Sequence, residues 1–341
     1  MSPTTSLITL AHGSGARATH ELVTSLFLRH FNNPILATLE DGACLPTACE
    51  NSAAELIVAT DGHVVSPLFF PGGDIGTLAI NGTLNDVAMA GGRCRYLTAS
   101  FILEEGFPVS QLEKIVISMA ETARAAGVQI IAGDTKVVER GKCDGVFIST
   151  TGIGQGKALM LEGLSHLQPG DHILLSGDIG RHGATILSHR QGLKFESDLT
   201  SDCADLGPLI AQLTGIQGLR CLRDATRGGV SAVLNEWAQA SGHVLQIDEA
   251  RIPVSPNVAA LCDLLGLDPL YLACEGRCLL ICTAESAESV LTALQAHPLG
   301  VQACRVGVVV ESDVPRVELL TIFGGRRLLD WSYGDPLPRI C

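Results

Sequence analysis

Aromatic side chains are scarce in this sequence, at 4% of 341 residues, and charged ones make up only 17%. A core with few rings must be closed by branched aliphatic and alanine contacts. The 46% hydrophobic content supplies enough of these for two domains of ordinary size. Basic residues are also few: 23 Lys and Arg against 36 Asp and Glu leave a formal net charge of −13. That balance excludes a phosphate-backbone binder, because no cationic surplus exists to displace counterions, and it argues equally against an anionic membrane surface. No run approaches the roughly 20 apolar residues of a spanning helix. Residues 1–15 lack the basic start and long apolar stretch of a secretion signal. These absences predict a cytoplasmic protein with no nucleic-acid and no membrane partner.

No CxxC pair occurs either, although there are 12 cysteines. The densest grouping is Cys274, Cys278 and Cys282. On a helix these would share a face, but Cys278-Leu279-Leu280-Ile281-Cys282 reads as a buried strand on which they do not converge. They are expected to be reduced, buried residues and not metal ligands.

What the chain does have is 37 glycines punctuating alternating strand-like and helical patterns, the signature of an α/β (α+β) protein. Strands are expected at 56–60, 64–70, 96–103, 128–132 and 145–150, with helices after Gly15, over 76–90 and over 108–126. The glycines of 152–156 read as a hinge into a second half. That half has strands at 171–177, 279–283 and 306–311, and helices near 183–190, 208–215, 229–240 and 287–297. The expected organisation is a segment 1–38 with a glycine-rich loop and helix, a domain 39–156, a domain 157–330 and a tail 331–341.

The tail differs in kind. Pro336 and Pro338 forbid helix or central strand, so Gly334 to Cys341 should form an extended arm. Position alone leaves two readings, a frayed end or an arm that presents the thiol of Cys341.

Carboxylates recur at the ends of apolar runs beside small residues: Asp41, Asp61, Asp86 and Asp134 in the first half, Asp224 in the second. Each alone reads as a turn or helix cap. Gathered without a cation they would repel one another, whereas around a hard divalent cation they could hold phosphate oxygens. With Asn85, Thr135, Lys136, Thr226 and Arg227 alongside, the set predicts a Mg–nucleotide site. His12-Gly13-Ser14-Gly15 before a helix adds a loop whose N–H groups could wrap phosphates. It is neither a Walker A loop nor a dinucleotide fingerprint.

Five strings taken together resemble the hydrogenase maturation factor HypE family: His12-Gly13-Ser14-Gly15, Pro67 to Gly73, Gly133-Asp134-Thr135-Lys136-Val137-Val138, Arg223 to Gly229 and the closing Pro338-Arg339-Ile340-Cys341. The wider superfamily includes aminoimidazole ribonucleotide synthetase, selenophosphate synthetase and thiamine-monophosphate kinase. The resemblance implies an aminoimidazole-ribonucleotide-synthetase-like two-domain fold, a homodimer formed through the N-terminal sheet, and a mobile tail. It also implies a reaction. A carbamoyltransferase, HypF, loads a carboxamide onto Cys341, ATP activates the amide oxygen, and loss of phosphate leaves a thiocyanate. The cyanide then passes to iron on a HypC–HypD scaffold for [NiFe]-hydrogenase. In this scheme Glu275 resembles the base and Lys136 its charge-stabilising partner. Plainer readings are a solvated loop carboxylate for Glu275 and a phosphate contact for Lys136. Ala16 stands where the family usually has glycine, and Gly62 and His63 stand where it has serine and an aromatic residue. Two other functions remain open at this point: a small-molecule synthetase or kinase of the same superfamily, and a non-catalytic carrier of a group on Cys341.

Overall fold

In residues 55–63 the burial alternates: Ile57, Ala59 and His63 face inward while Glu55, Thr60 and Gly62 are exposed. This period of two is that of a strand with one face covered. The computed structural model describes residues 7–31, 33–45, 55–156, 159–191, 198–312, 314–332 and 339–341. The first half contributes β1 (Ala43–Leu45), β2 (Glu55–His63), a short hairpin of β3 (Phe69–Phe70) and β4 (Gly73–Asp74), then β5 (Gly92–Glu104), β6 (Gln129–Val138) and β7 (Val146–Gly156). The five longer-range strands form one sheet in the order β1-β2-β7-β5-β6, in which β5 and β6 run parallel and the other pairs antiparallel.

The second half holds β8 (His172–Leu175), β9 (Leu219–Asp224), β10 (Val244–Asp248), β11 (Cys278–Cys282), β12 (Cys304–Val310), β13 (Arg316–Leu320) and β14 (Arg326–Leu328). They form a seven-stranded sheet in the order β14-β13-β10-β12-β8-β11-β9. The α-helices are α1 (Arg17–Leu22), α2 (Leu28–Phe31), α3 (Ile75–Met89), α4 (Val109–Ala126), α5 (Arg181–Arg190), α6 (Gly207–Ala211), α7 (Gly229–Ser241), α8 (Pro256–Leu265) and α9 (Ala287–Gln295). No described helix is long and apolar enough to cross a membrane.

Helix α3 is the pivot. Asp74 caps it, its carboxylate accepting the N–H groups of Gly76 at 2.7 Å and Thr77 at 2.9 Å. Thirteen of its fifteen residues are buried, because it is covered on more than one side. Ile75, Leu78 and Val87 share one continuous core with Ile186, Val258 and Leu272 of the second half.

Three expectations are corrected. Residues 64–70 are not one strand: β2 ends at His63 and only Phe69–Phe70 pair again. Pro67 lacks the N–H a ladder needs, and the chain turns there. The glycines of 152–156 are not a hinge but the end of β7. A Cβ on Gly152 would lie 2.9 Å from the Thr83 side chain, and one on Gly154 2.6 Å from Val87, so these glycines let α3 pack directly on the strand. The helix expected over 208–215 ends at Ala211.

Candidate active site between the two halves

The ends of β2 and β9 deliver Asp61 and Asp224 to one cleft, α3 delivers Asp86, and the loop before β11 delivers Glu275. The cleft measures about 610 Å³ and is also lined by Gly15, Asp41, Thr226, Arg227 and Cys341. That volume suits a ligand of nucleotide size.

Its electrostatics are those of crowded acids. Burial pushes Asp86 well above the usual carboxylate range, and Asp224, Asp41 and Asp61 push it further. Asp224 is raised by burial and by Asp41. Asp41 is raised by burial, against the opposing pull of Arg223, whose Nε lies 2.8 Å from it. Glu275 is raised well above its ordinary value by burial, then by Asp224 and Asp202, with Arg227 opposing. One oxygen each of Asp224 and Glu275 is buried with no hydrogen-bond partner. Buried acceptors without donors mark a place shaped for something positively charged or proton-bearing.

The backbone around Glu275 is firmly held. Asp202 accepts the N–H groups of Glu275 and Gly276 at 3.2 and 3.3 Å. Asn85 donates to the carbonyls of Ala204 and Glu275 and accepts the N–H of Leu206 at 2.8 Å. Gly276 lies so close to the Asp202 carbonyl, 1.9 Å from where a Cβ would stand, that no side chain fits.

Cys341 is buried in this cleft, not displayed at an exposed end as its position suggested. Val64 donates to the Cys341 backbone oxygen at 2.9 Å and Ser66 to that of Arg339 at 3.1 Å, an antiparallel pairing of the last residues with 64–66. Burial pushes the Cys341 thiol well up; Arg227 opposes, while Glu275, Asp61 and Asp224 add to the rise. A proline-stiffened arm is legible in sequence, but its receptor strip is not. The part of the tail from 333 to 338 lies outside the described residues.

The remaining sequence-predicted residues divide. Thr226 and Arg227 line the cleft, and Arg227 lies 3.9 Å from Asp61. Of the glycine-rich loop only Gly15 does; a Cβ there would meet Arg227 at 2.7 Å. His12, Gly13 and Ser14 form a 3-10 turn whose polar groups turn on themselves, His12 to Thr9 and Ser14 to the Ala11 carbonyl. Asn85 does not line the cleft; its amide is used between the two halves. Asp134, Thr135 and Lys136 lie on the exposed edge strand β6 and do not line the cleft. Lys136 pairs instead with Asp134 at 2.6 Å. Ala16 and His63 are both buried, and His63 contacts Thr150 at 3.3 Å. Sequence reading missed Asp202, which carries no motif of its own, and assigned no role to Arg223, which opens the string 223–229. Cys274, Cys278 and Cys282 are buried free thiols as expected, and among the described residues no three Asp, Glu, His or Cys side chains stand together as a ready metal cage.

Residues 39–155 match the N-terminal domain model of AIR synthase related protein, and residues 168–319 its C-terminal domain model. The carbamoyl dehydratase HypE of Cupriavidus necator is 52% identical to this chain, over 98% of it and 95% of the relative. The chain belongs to the HypE family. Solved members of the HypE family superpose along nearly its whole length. A crystal structure of a HypE–HypF complex matches with a TM-score of 0.84 and 42% identity, covering 91% of this chain and 99% of that one. A HypE crystal structure in complex with ATP matches with a TM-score of 0.80 and 47% identity, covering 98% and 100%. In this HypE family member the closing Arg339-Ile340-Cys341 runs along residues 64–66 and brings Cys341 into the acidic cleft.

Proposed function

We propose that this protein is an ATP-dependent carbamoyl dehydratase acting on an S-carboxamide carried by its own Cys341, and that the thiocyanate formed supplies cyanide ligands for the iron of [NiFe]-hydrogenase. The observation that carries this reading is Cys341 buried in the same cleft as Glu275 and four aspartates. A thiolate is poorly tolerated there, as the raised thiol shows, whereas a neutral carboxamide brings N–H donors to acids that lack them.

The chemistry balances as follows. The amide oxygen attacks the γ-phosphorus of ATP and displaces ADP, while Glu275 takes one N–H proton. The second N–H proton leaves as the C–O bond breaks, and inorganic phosphate departs with the former amide oxygen. The products are R–S–C≡N, ADP, phosphate and a proton. Glu275, with a raised proton affinity and a free oxygen, is placed to accept that first proton. Arg227 beside Asp61 is placed to offset charge developing near the sulfur.

Mg²⁺ fits the donor set. Asp61, Asp86 and Asp224, with Asp41 behind them, would hold it mainly through nucleotide phosphates, consistent with the lack of a ready all-protein cage and with the orphaned Asp224 oxygen. It would supply charge neutralisation for phosphoryl transfer. Asp134, Thr135 and Lys136 do not line the cleft of their own chain, so we assign them to the neighbouring cleft of a homodimer. HypF loads Cys341 when the tail is undocked, since acylation needs an accessible thiolate. A HypC–HypD complex receives the cyanide.

The test is mass spectrometry of the intact protein after incubation with HypF, carbamoyl phosphate and ATP. A cyano group on the peptide ending in Cys341 is expected. Absence of any modification there, with the tail intact, overturns the reading, and ATP turnover that survives Cys341→Ala would favour a small-molecule kinase or synthetase.

A further inference from the structure

The docked tail is gripped by a residue that sequence reading did not single out. His182, in the first turn of α5, is fully buried. Its Nε2 lies 2.7 Å from the Ile340 carbonyl oxygen and its Nδ1 2.8 Å from Ser201 Oγ. A carbonyl can only accept, so Nε2 carries the proton. Ser201 Oγ already accepts the N–H of Cys203 at 3.1 Å, which leaves its own proton for Nδ1. One neutral tautomer therefore satisfies every group, and burial, which lowers the imidazole's proton affinity, favours that neutral form.

The ring is also fixed from the side. Phe70 meets it edge-on, with centroids 5.4 Å apart at 86°. Ser201 is tied by its own N–H to the Pro71 carbonyl at 2.9 Å. Eight residues along the same helix, a little over two turns, Arg190 donates to the carbonyls of Arg339 at 2.9 Å and Ser66 at 2.7 Å. Helix α5 thus holds two successive carbonyls of the tail. Gly183, next to His182, donates to the Ala273 carbonyl at 3.0 Å, two residues before Glu275. The group that holds the tail and the group proposed to act on it belong to one hydrogen-bonded unit.

We propose that His182 is a positioning residue for the dehydration: by fixing the Ile340 peptide it sets the Cys341 carboxamide in register with Glu275, without touching the reacting atoms. This deepens the function proposed above and rests on it. Two measurements separate the two ideas. The first is the rate at which iodoacetamide alkylates Cys341 in the full-length unloaded protein, resolved by peptide mass spectrometry, and it needs neither ATP nor HypF. The second is single-turnover conversion of the loaded protein.

His182→Leu keeps bulk and removes the donor. It should raise Cys341 alkylation and slow conversion, each by about five- to tenfold, the scale of one lost hydrogen bond to a buried acceptor. His182→Gln, which can place an amide N–H near the Nε2 position, should restore most of both. Continued protection of the buried Cys274 and Cys278 reports an intact fold. Wild-type protection and rate in His182→Leu would overturn the proposal, as would a folded His182→Gln no better than the leucine variant. If His182→Leu does not fold, Arg190→Gln at the exposed end of the helix carries the test. Faster Cys341 alkylation there supports the grip, and an unchanged rate overturns it. A wild-type protein that forms no thiocyanate would sink the function while leaving the alkylation result to decide the docking.

Discussion

Glu275 reaches the cleft with a free carboxylate oxygen because other residues have taken charge of its backbone. Asp202 holds its N–H, Asn85 its carbonyl, and burial keeps water from the side chain. A base held this way loses its function on becoming an amide, without loss of shape. Glu275→Gln should therefore leave thermal stability within a few degrees of wild type and leave Cys341 protected. Conversion of the loaded tail should fall at least about a hundredfold, the usual scale for a positioned base. Conversion within tenfold of wild type would remove Glu275 from that role. The residue was visible in sequence only through its family likeness. A glutamate between cysteine and glycine has no pattern of its own, and the partners that hold its backbone, one an acceptor and one a donor, come from positions 73 and 190 residues away.

Among the elements, α3 does two opposed jobs with adjacent residues. Asn85 ties the halves together with three hydrogen bonds, and Asp86, one position on and about 100° around the helix, faces the acidic cleft. Asn85→Ala leaves buried partners unsatisfied and should cost about 2–3 kcal/mol in urea unfolding; a loss below half of that would show the ties to be dispensable. Asp86→Asn should do the reverse. The Asp86 proton affinity is raised in the folded state, so folding works against its ionisation. The resulting destabilisation is absent at pH values below the ordinary carboxylate range and grows as pH rises through the folded value. Without nucleotide or Mg²⁺, Asp86→Asn should melt at least about 2 °C above wild type at pH 7.5. That gap should close towards pH 4, and ATP-dependent conversion should be lost. A variant that melts lower at both pH values would refute the account. Helix α3 itself was legible from its apolar content, and α4 from Leu112, Ile115, Met119 and Ala123 at helical spacing, because burial on a helix leaves a period. Helix α8 was missed, as were strands β1, β9, β10, β13 and β14. They owe their pairing to distant partners such as Val310 with Val244, which no local pattern records. Gly152 and Gly154 misled because the same residue that loosens a loop also permits close packing.

At the scale of the whole molecule, one residue of the proposed catalytic set lies away from the cleft of its own chain. Lys136 stands on the outermost strand, exposed and paired with Asp134, while Glu275 and Cys341 lie in the cleft between the halves. The sheet bearing Lys136 also exposes Tyr96, Ile130, Ile131 and Val137, apolar side chains on its outer strands that a second copy would cover. In a two-fold dimer each cleft would then take its Glu275 and Cys341 from one protomer and its Lys136 from the other. Two inactive variants should in that case complement. Lys136→Ala and Glu275→Gln proteins, each unable to convert its loaded tail, should regain about a quarter of wild-type conversion after co-expression in equal amounts. Half of the dimers formed at random are mixed, and each mixed dimer holds one cleft with both residues intact. The product should appear only on the tail of the Lys136→Ala chain, whose own Glu275 is unaltered, and mass tagging of one protomer reads this directly. Product on the Glu275→Gln chain would instead put lysine and glutamate to work on different tails, and no recovery at all would return Lys136 to its own protomer.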